Sequence, residues 1–138
     1  MKYSVTKQFT FEAAHRLIKG YKGKCTNNHG HSWVIKLHLE SAKLDEKEMV
    51  IDFQDMKALK TWIDDNLDHV SILWENDPMC EFIRDSGQRI YTTKGNPTSE
   101  TIGEIILKQA MKIFNKPGII VKCIEVNETC TSGAQVYS

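Results

Sequence analysis

The sequence predicts an α+β fold in which two helices cover one face of an antiparallel sheet, in the order ββααββ. Apolar residues alternate with polar ones in two runs near the N-terminus, and from Asp52 the apolar period lengthens to that of a helix. Alternation returns after Lys116-Pro117-Gly118. Strands at both ends of a chain with helices between them are typical of a layered α+β structure. A length of 138 residues predicts one domain, 1–138.

Two strands and an intervening loop are predicted first. Residues 2–13 form the first strand, and residues 16–28 form a loop because they hold two glycines and an asparagine pair without any hydrophobic period. The second strand contains the run from Trp33 to Leu39. Together the two strands would form a hairpin whose buried face carries odd-numbered residues: Tyr3, Val5, Phe9, Phe11, Ala13, Trp33, Ile35, Leu37 and Leu39.

Two helices and a second hairpin complete the prediction. Asp52 is the expected N-cap of the first helix, and the second helix opens at Asn96-Pro97-Thr98-Ser99-Glu100. Between them, residues 70–95 form a long excursion with turn signals. The last two strands are predicted over residues 119–128 and 134–137. The helical apolar stripes are Phe53, Met56, Leu59, Ile63 and Leu67, then Ile102, Ile105, Ile106, Ala110 and Ile113.

Composition and charge exclude several classes of protein. Eighteen basic and eighteen acidic residues cancel, which disfavours general nucleic-acid binding. No run approaches the ~20 apolar residues that cross a membrane, and the N-terminus lacks the apolar segment of a signal peptide. Four cysteines without such a signal predict free thiols in a reducing cytoplasm.

Three histidines form a candidate metal site. His29 and His31 are two residues apart, so in a strand their side chains leave the same face. His15 has the parity of the apolar face of the first strand, so pairing of the two strands would bring all three imidazoles to one end of the hairpin. Three neutral imidazoles with one open position form a catalytic zinc pattern. The alternative is that the three residues are unrelated surface or core histidines that bind no common metal.

Cys25 precedes His29 by four residues and has two possible roles. Its thiolate could be a fourth ligand and close a structural zinc site. It could instead lie beside an open site and act as a base or nucleophile, because a nearby cation lowers a thiol pKa. The spacing is compatible with both.

Further polar residues are candidates for catalysis and binding. Asp68 and His69 end the first helix and could form an acid–base pair. Glu128 has the parity of Ile120, Ile124 and Val126, so its carboxylate would need a partner such as two N–H donors of a ligand. Alternatively, Asp68 and His69 are an ordinary helix end, and Glu128 is an ordinary strand-end glutamate that reaches solvent. The stretch between Glu12 and Glu40 has five basic and no acidic residues, which suits an anionic substrate such as a phosphate ester. The alternative is a basic loop that is simply solvated.

Taken together, these residues resemble the 6-pyruvoyl-tetrahydropterin synthase family over nearly the whole chain. The three-residue spacer between Cys25 and His29, and Ser32 after His31, are similar to its bacterial 6-carboxy-5,6,7,8-tetrahydropterin synthase branch in queuosine biosynthesis. The motifs are Phe11-Glu12-Ala13-Ala14-His15-Arg16-Leu17, Cys25-x-x-x-His29-Gly30-His31-Ser32, Ile51-Asp52-Phe53, Leu67-Asp68-His69, Asn96-Pro97-Thr98-Ser99-Glu100 and Glu128-Thr129.

The resemblance implies a tunnelling fold, in which subunits join edge to edge into barrels and form a homo-hexamer, a dimer of trimers. It implies that zinc is held by His15, His29 and His31 and that Cys25 abstracts a proton. It further implies that Asp68 and His69 complete the acid–base machinery from a neighbouring subunit. Glu128 would anchor the pterin ring, with Thr129 beside it in the substrate site.

The implied reaction converts 7,8-dihydroneopterin triphosphate and water to 6-carboxytetrahydropterin, acetaldehyde and triphosphate. Zinc would act as a Lewis acid, and the cationic loop would help to hold the triphosphate. One alternative is the 6-pyruvoyl-tetrahydropterin synthase reaction, which eliminates triphosphate from the same substrate. A second alternative is a non-catalytic zinc module in which Cys25 closes the coordination shell.

Overall fold

A computed structural model describes all 138 residues. Its core is one six-stranded sheet with the strand order β4-β3-β1-β2-β5-β6. The strands are β1 (Tyr3–His15), β2 (His29–Ser41), β3 (Val70–Trp74), β4 (Ile90–Thr93), β5 (Ile120–Asn127) and β6 (Gly133–Tyr137). The helices are α1 (Phe53–Met56), α2 (Ala58–Asn66), α3 (Met79–Asp85) and α4 (Ser99–Ile113). None of them has the length and apolar character needed to cross a bilayer.

The predicted α+β class and both predicted hairpins are confirmed. Strands β1 and β2 pair antiparallel along their whole length, β5 pairs antiparallel with β2, and β6 with β5. The sheet is mixed rather than wholly antiparallel, because β3 runs parallel to β1 and β4 parallel to β3. The excursion 70–95 is therefore a β3-α3-β4 unit that extends the sheet. Its strands have five and four residues, too few to display a period in the sequence.

The helices begin where their capping residues predict. The Asp52 carboxylate accepts a hydrogen bond from the Gln54 N–H (2.8 Å), which starts α1. The predicted first helix is broken at Lys57 into α1 and α2. The Thr98 hydroxyl accepts a hydrogen bond from the Thr101 N–H (3.2 Å), so α4 begins at Ser99.

The hydrophobic core lies between the odd-numbered face of β1 and β2 and the helices. The rings of Phe11 and Trp33 stack at 5.8 Å there, while α2 packs on β1 and α4 on β5 and β6. On the opposite face, β1 and β2 carry polar residues and no helix covers them, as is common for antiparallel strands. At β3 and β4 that face is covered by α3, where Leu73 is buried against Cys80 and Ile83, so the helices do not all lie on one face of the sheet.

Strand β5 contains a bulge that reverses its parity. Leu39 pairs with Val121 and His38 with Cys123, so Lys122 is the extra residue. Before the bulge the buried residue is Val121, and Ile120 is exposed. The expectation that Ile120 shares a face with Glu128 is therefore wrong. After the bulge Ile124 and Val126 are buried, and Glu128 continues their parity.

An ion pair connects the β3-α3-β4 unit to the end of β1. The Arg16 guanidinium donates two hydrogen bonds to the carboxylate of Asp77, which has no exposed side-chain surface. Burial of Asp77 opposes its ionisation, but the Arg16 guanidinium and the Met79 N–H outweigh burial and lower the pKa of Asp77. Because Arg16 follows His15, this pair fixes the backbone beside the candidate metal site.

Candidate active site

Three imidazoles converge at one end of the β1-β2 hairpin. His15 lies opposite His29 in the strand register, and His31 lies two residues further along β2 on the same face. One nitrogen from each ring lies within 4.8 Å of the other two, so the three could bind a metal ion. The indole of Trp33 contacts the rings of His15 and His31 edge-on and donates a hydrogen bond to the Ala13 carbonyl (3.1 Å). The group thus lies directly on the hydrophobic core.

Backbone carbonyls select which nitrogen the rings offer. The Nδ1 atom of His15 lies 2.7 Å from the Pro97 carbonyl, and that of His29 lies 2.7 Å from the Asn27 carbonyl. Each carbonyl can accept only from a protonated Nδ1, which leaves Nε2 with a free lone pair. The Nε2 atoms of His15 and His31 are buried without any hydrogen-bond partner. Buried nitrogens without a partner are costly unless a ligand occupies the space between them, so this donor set fits a metal ion.

The surroundings of His15 and His31 favour the neutral form of both imidazoles. Burial lowers the pKa of His15, and with the neighbouring His29 and His31 it outweighs the hydrogen bond to the Pro97 carbonyl, which raises that pKa. Burial also lowers the pKa of His31, by more than the nearby Glu128 carboxylate raises it. Because neutral imidazole is the form that coordinates metals, both rings are ready to bind near neutral pH.

Glu128 lies next to the histidines, where the strand parity after the bulge places it. One carboxylate oxygen accepts a hydrogen bond from the Ser99 hydroxyl (2.7 Å), and the other lies 3.4 Å from Nε2 of His31. Thr129 is exposed and lines a cleft of about 610 Å³ together with Glu128 and His31. A carboxylate and a metal-binding group therefore face the same space.

Cys25 lies in the loop that precedes β2. It sits in a single 3₁₀ turn (Lys24–Thr26) and is partly exposed, and its carbonyl accepts a hydrogen bond from the Leu17 N–H (2.8 Å). The negative charge of an ionised Cys25 raises the pKa of the neighbouring Tyr21 hydroxyl. The metal-binding group comprises the three imidazoles and does not include the Cys25 thiol.

Asp68 and His69 form a hydrogen-bonded pair in the turn between α2 and β3. The Asp68 carboxylate lies 2.8 Å from Nδ1 of His69 and accepts a hydrogen bond from the Glu12 N–H (2.9 Å). Burial of Asp68 opposes its ionisation, but these hydrogen bonds outweigh burial and lower its pKa. His69 borders a cleft of about 360 Å³ at the end of the β1-β2 hairpin. Most of the cleft is lined by even-numbered residues of the two strands (Glu12, Ala14, Gly30 and Ser32), and His31 lines it as well.

The structure brings some of the predicted residues together and separates others. His15, His29, His31 and Glu128 form one group, and Cys25 lies on the adjoining loop. The Asp68–His69 pair is outside this group, but the cleft that His69 borders is also lined by His31. Sequence reasoning missed Ser99 and the Pro97 carbonyl, because their segment signals only the start of a helix and their contacts depend on the packing of α4.

The chain matches known proteins along nearly its whole length. Residues 4–138 match the family model described as 6-pyruvoyl tetrahydropterin synthase. A 6-carboxy-5,6,7,8-tetrahydropterin synthase of Rickettsia typhi is 39% identical, with 90% of this chain and 92% of the relative covered. A protein of the same name from Aquifex aeolicus is 33% identical, with 98% of both chains covered.

Solved structures agree with the sequence matches. An uncharacterized protein from Wolinella succinogenes superimposes with a TM-score of 0.86 at 26% identity, covering 100% of this chain and 99% of that one. The 6-pyruvoyl tetrahydropterin synthase of Caenorhabditis elegans superimposes with a TM-score of 0.74 at 23% identity, covering 100% and 96%. These likenesses confirm the expected tunnelling fold. By sequence and by fold, the chain belongs to the 6-pyruvoyl tetrahydropterin synthase family.

Proposed function

We propose that this protein is a zinc-dependent 6-carboxy-5,6,7,8-tetrahydropterin synthase, a carbon–carbon lyase. It converts 7,8-dihydroneopterin triphosphate and water to 6-carboxytetrahydropterin, acetaldehyde and triphosphate, a step of queuosine biosynthesis. The observation that carries the proposal is the placement of Glu128 beside three imidazoles with free Nε2 atoms. The names of relatives at 33–39% identity support the choice of product.

The residues that would hold zinc are His15, His29 and His31. Three neutral imidazoles leave one position open, as in catalytic rather than structural zinc sites. Zinc bound there would supply Lewis-acid polarisation of the side-chain oxygens of the substrate.

Cys25 is proposed as the base that removes a proton from the substrate side chain. Its loop borders the histidines and carries exposed cations suited to the triphosphate: Lys19, Lys22 and Lys24. The Lys19 N–H donates to the Asn96 side-chain oxygen (2.9 Å), and the Asn96 amide donates to the Lys19 carbonyl (2.8 Å). This reciprocal pair fixes the loop against the segment that precedes α4.

Asp68 and His69 are proposed to transfer protons in the active site of a neighbouring subunit. Their cleft opens mainly on the face opposite the three imidazoles, with His31 the one imidazole that lines it. Strands β4 and β6 form the two open edges of the sheet. Open edges pair readily with other strands, which supports assembly of several copies into the homo-hexamer of the family.

We propose a cytoplasmic location, because all four cysteines are unpaired.

Glu128→Gln is expected to weaken pterin binding by about 2 to 4 kcal/mol. A carboxylate accepts two adjacent N–H donors of the pterin ring, whereas glutamine presents a donor to one of them. The measurement is the affinity of the purified variant for dihydroneopterin. Zinc content should not change. Glu104→Gln, an exposed change on α4, is the matched control. Unchanged affinity in Glu128→Gln would remove Glu128 as the pterin anchor.

Product analysis tests the proposed reaction directly. Zinc-loaded protein is incubated with 7,8-dihydroneopterin triphosphate, and the products are identified by mass. Acetaldehyde together with 6-carboxytetrahydropterin supports the proposal. A product that keeps the three-carbon side chain would instead identify the 6-pyruvoyl reaction. Absence of any turnover would contradict both.

Cys25→Ala separates catalysis from a structural zinc module. If Cys25 acts as a base, the variant should bind zinc stoichiometrically while turnover falls by about 10²–10⁴-fold. Cys25→Ser, which keeps the size of the side chain, should show the same loss because a hydroxyl is a far weaker acid than a thiol. Loss of zinc in both variants would identify Cys25 as a ligand and favour the structural module.

A further inference from the structure

His69 adopts a backbone conformation that needs support. Its φ angle is 56°, in the left-handed region that residues with a side chain seldom occupy. Such a conformation persists only where surrounding contacts determine it. Because the His69 ring is exposed, packing of the side chain does not supply that support. The support must therefore come from contacts to the backbone.

Two contacts hold opposite ends of the peptide unit between Asp68 and His69. The His69 N–H donates to the Glu12 carbonyl of β1 (2.6 Å). At the other end, the Asp68 carbonyl accepts a hydrogen bond from Nη1 of Arg89 (3.3 Å). Because a peptide unit is planar and rigid, fixing both ends fixes the orientation of the whole plane. That orientation sets the backbone angles on either side of it, and so the directions of both side chains.

Arg89 is itself well anchored. Its Nη2 atom donates to the Asp65 carbonyl (2.6 Å) in the last turn of α2, where carbonyls lack helical partners and a cation is favourable. Its own carbonyl accepts a hydrogen bond from the Ser71 N–H (3.3 Å), directly before β4. The guanidinium fork therefore connects the helix end, the Asp68–His69 turn and the β3-α3-β4 unit.

We propose that Arg89 is a positioning residue for the Asp68–His69 pair, and that segment 70–95 contributes to the active site through it. The inference rests on the proposed function, because it gives this pair a role in proton transfer. Both guanidinium contacts go to backbone carbonyls, so Arg89 acts on the geometry of the pair. The contact between the Asp68 carboxylate and Nδ1 of His69 depends on the same peptide orientation.

Steady-state kinetics of Arg89→Met and Arg89→Lys test the proposal. Arg89→Met should lower kcat by about 10- to 100-fold, because a small displacement of proton-transfer groups is costly to rate, while KM stays within about twofold. Arg89→Lys should fall between wild type and Arg89→Met, since one ammonium cannot reproduce the two-pronged fork. Arg84→Met is the matched control: it removes an exposed arginine of α3 in the same segment and should leave kcat unchanged.

Hydrogen exchange gives a readout that needs no turnover. In substrate-free protein, peptides covering residues 66–71 should exchange faster in Arg89→Met than in wild type or Arg84→Met. Without the guanidinium, the Asp68 carbonyl end of the peptide unit is released, so the hydrogen bond from the His69 N–H to the Glu12 carbonyl opens more often. If the wild type does not turn over the pterin, the proposed function fails while exchange still tests the Arg89 contact. Unchanged exchange in Arg89→Met overturns the inference, whether or not kcat falls. Arg89→Lys provides the same comparison if Arg89→Met folds poorly.

Discussion

His29→Ala should abolish both metal binding and turnover. Two imidazoles remain, too few for a stable site with an open position, so isolated protein should contain almost no zinc. Turnover should fall by at least about a thousandfold, because the Lewis acid is lost with the metal. His29 suits this test better than His15, which is fully buried against Trp33 and whose removal would also disturb the core. The measurements are zinc content by elemental analysis and initial rate.

His38→Ala is the control for this experiment. His38 lies on the same strand but on the opposite face, where it pairs with Glu125. Losing that pair should leave zinc content and rate near their wild-type values. Near-stoichiometric zinc in His29→Ala would remove His29 from the ligand set, and equal losses in both variants would point to general destabilisation.

Mixed oligomers of two inactive variants should recover activity. His29→Ala destroys the metal half of a site and His69→Ala destroys the proton-transfer half, so each homo-oligomer should be inactive. If each site takes its halves from two subunits, random mixing at equal amounts leaves both halves intact in about one quarter of the sites. Co-expressed, doubly tagged hetero-oligomers should therefore show about a quarter of the wild-type rate.

Two outcomes would contradict the shared site. Hetero-oligomers that form but stay inactive would mean that Asp68 and His69 serve no neighbouring site. A sedimenting species of 15.8 kDa at micromolar concentration would mean that the chain is a monomer, and no sharing could occur. Wild-type subunits carrying the same tags control for effects of the tags themselves.

The histidine group was predictable because long, regular strands carry it. β1 and β2 pair without interruption over 13 residues, so parity read from Phe11 and Trp33 extends reliably to His15, His29 and His31. The same reasoning failed at Ile120, where the bulge in β5 breaks the alternation. A bulge is a feature of strand pairing, and a single strand's sequence does not reveal it.

Side-chain contacts between distant segments could not be predicted from the sequence. The Arg16–Asp77 pair and the hydrogen bond from Ser99 to Glu128 join residues 61 and 29 positions apart. Charged and hydroxyl side chains have many possible partners, and only the packing of the elements selects one. The strands of segment 70–95 could not be predicted for a related reason: β3 is stabilised by pairing with β1, and β4 by pairing with β3, rather than by a strong local pattern.

The bulge at Lys122 divides β5 into two stretches, and a change of length in one does not alter which residues of the other face the core. Upstream of it, odd positions face the core; downstream, even positions do, and Glu128 follows the second rule. The bulge can absorb a change of one residue in the upstream stretch without turning the carboxylate, whereas an insertion between Cys123 and Glu128 would rotate it to the solvent side. The five residues from Ile124 to Glu128 therefore set, by their number, the side of the strand on which the carboxylate lies.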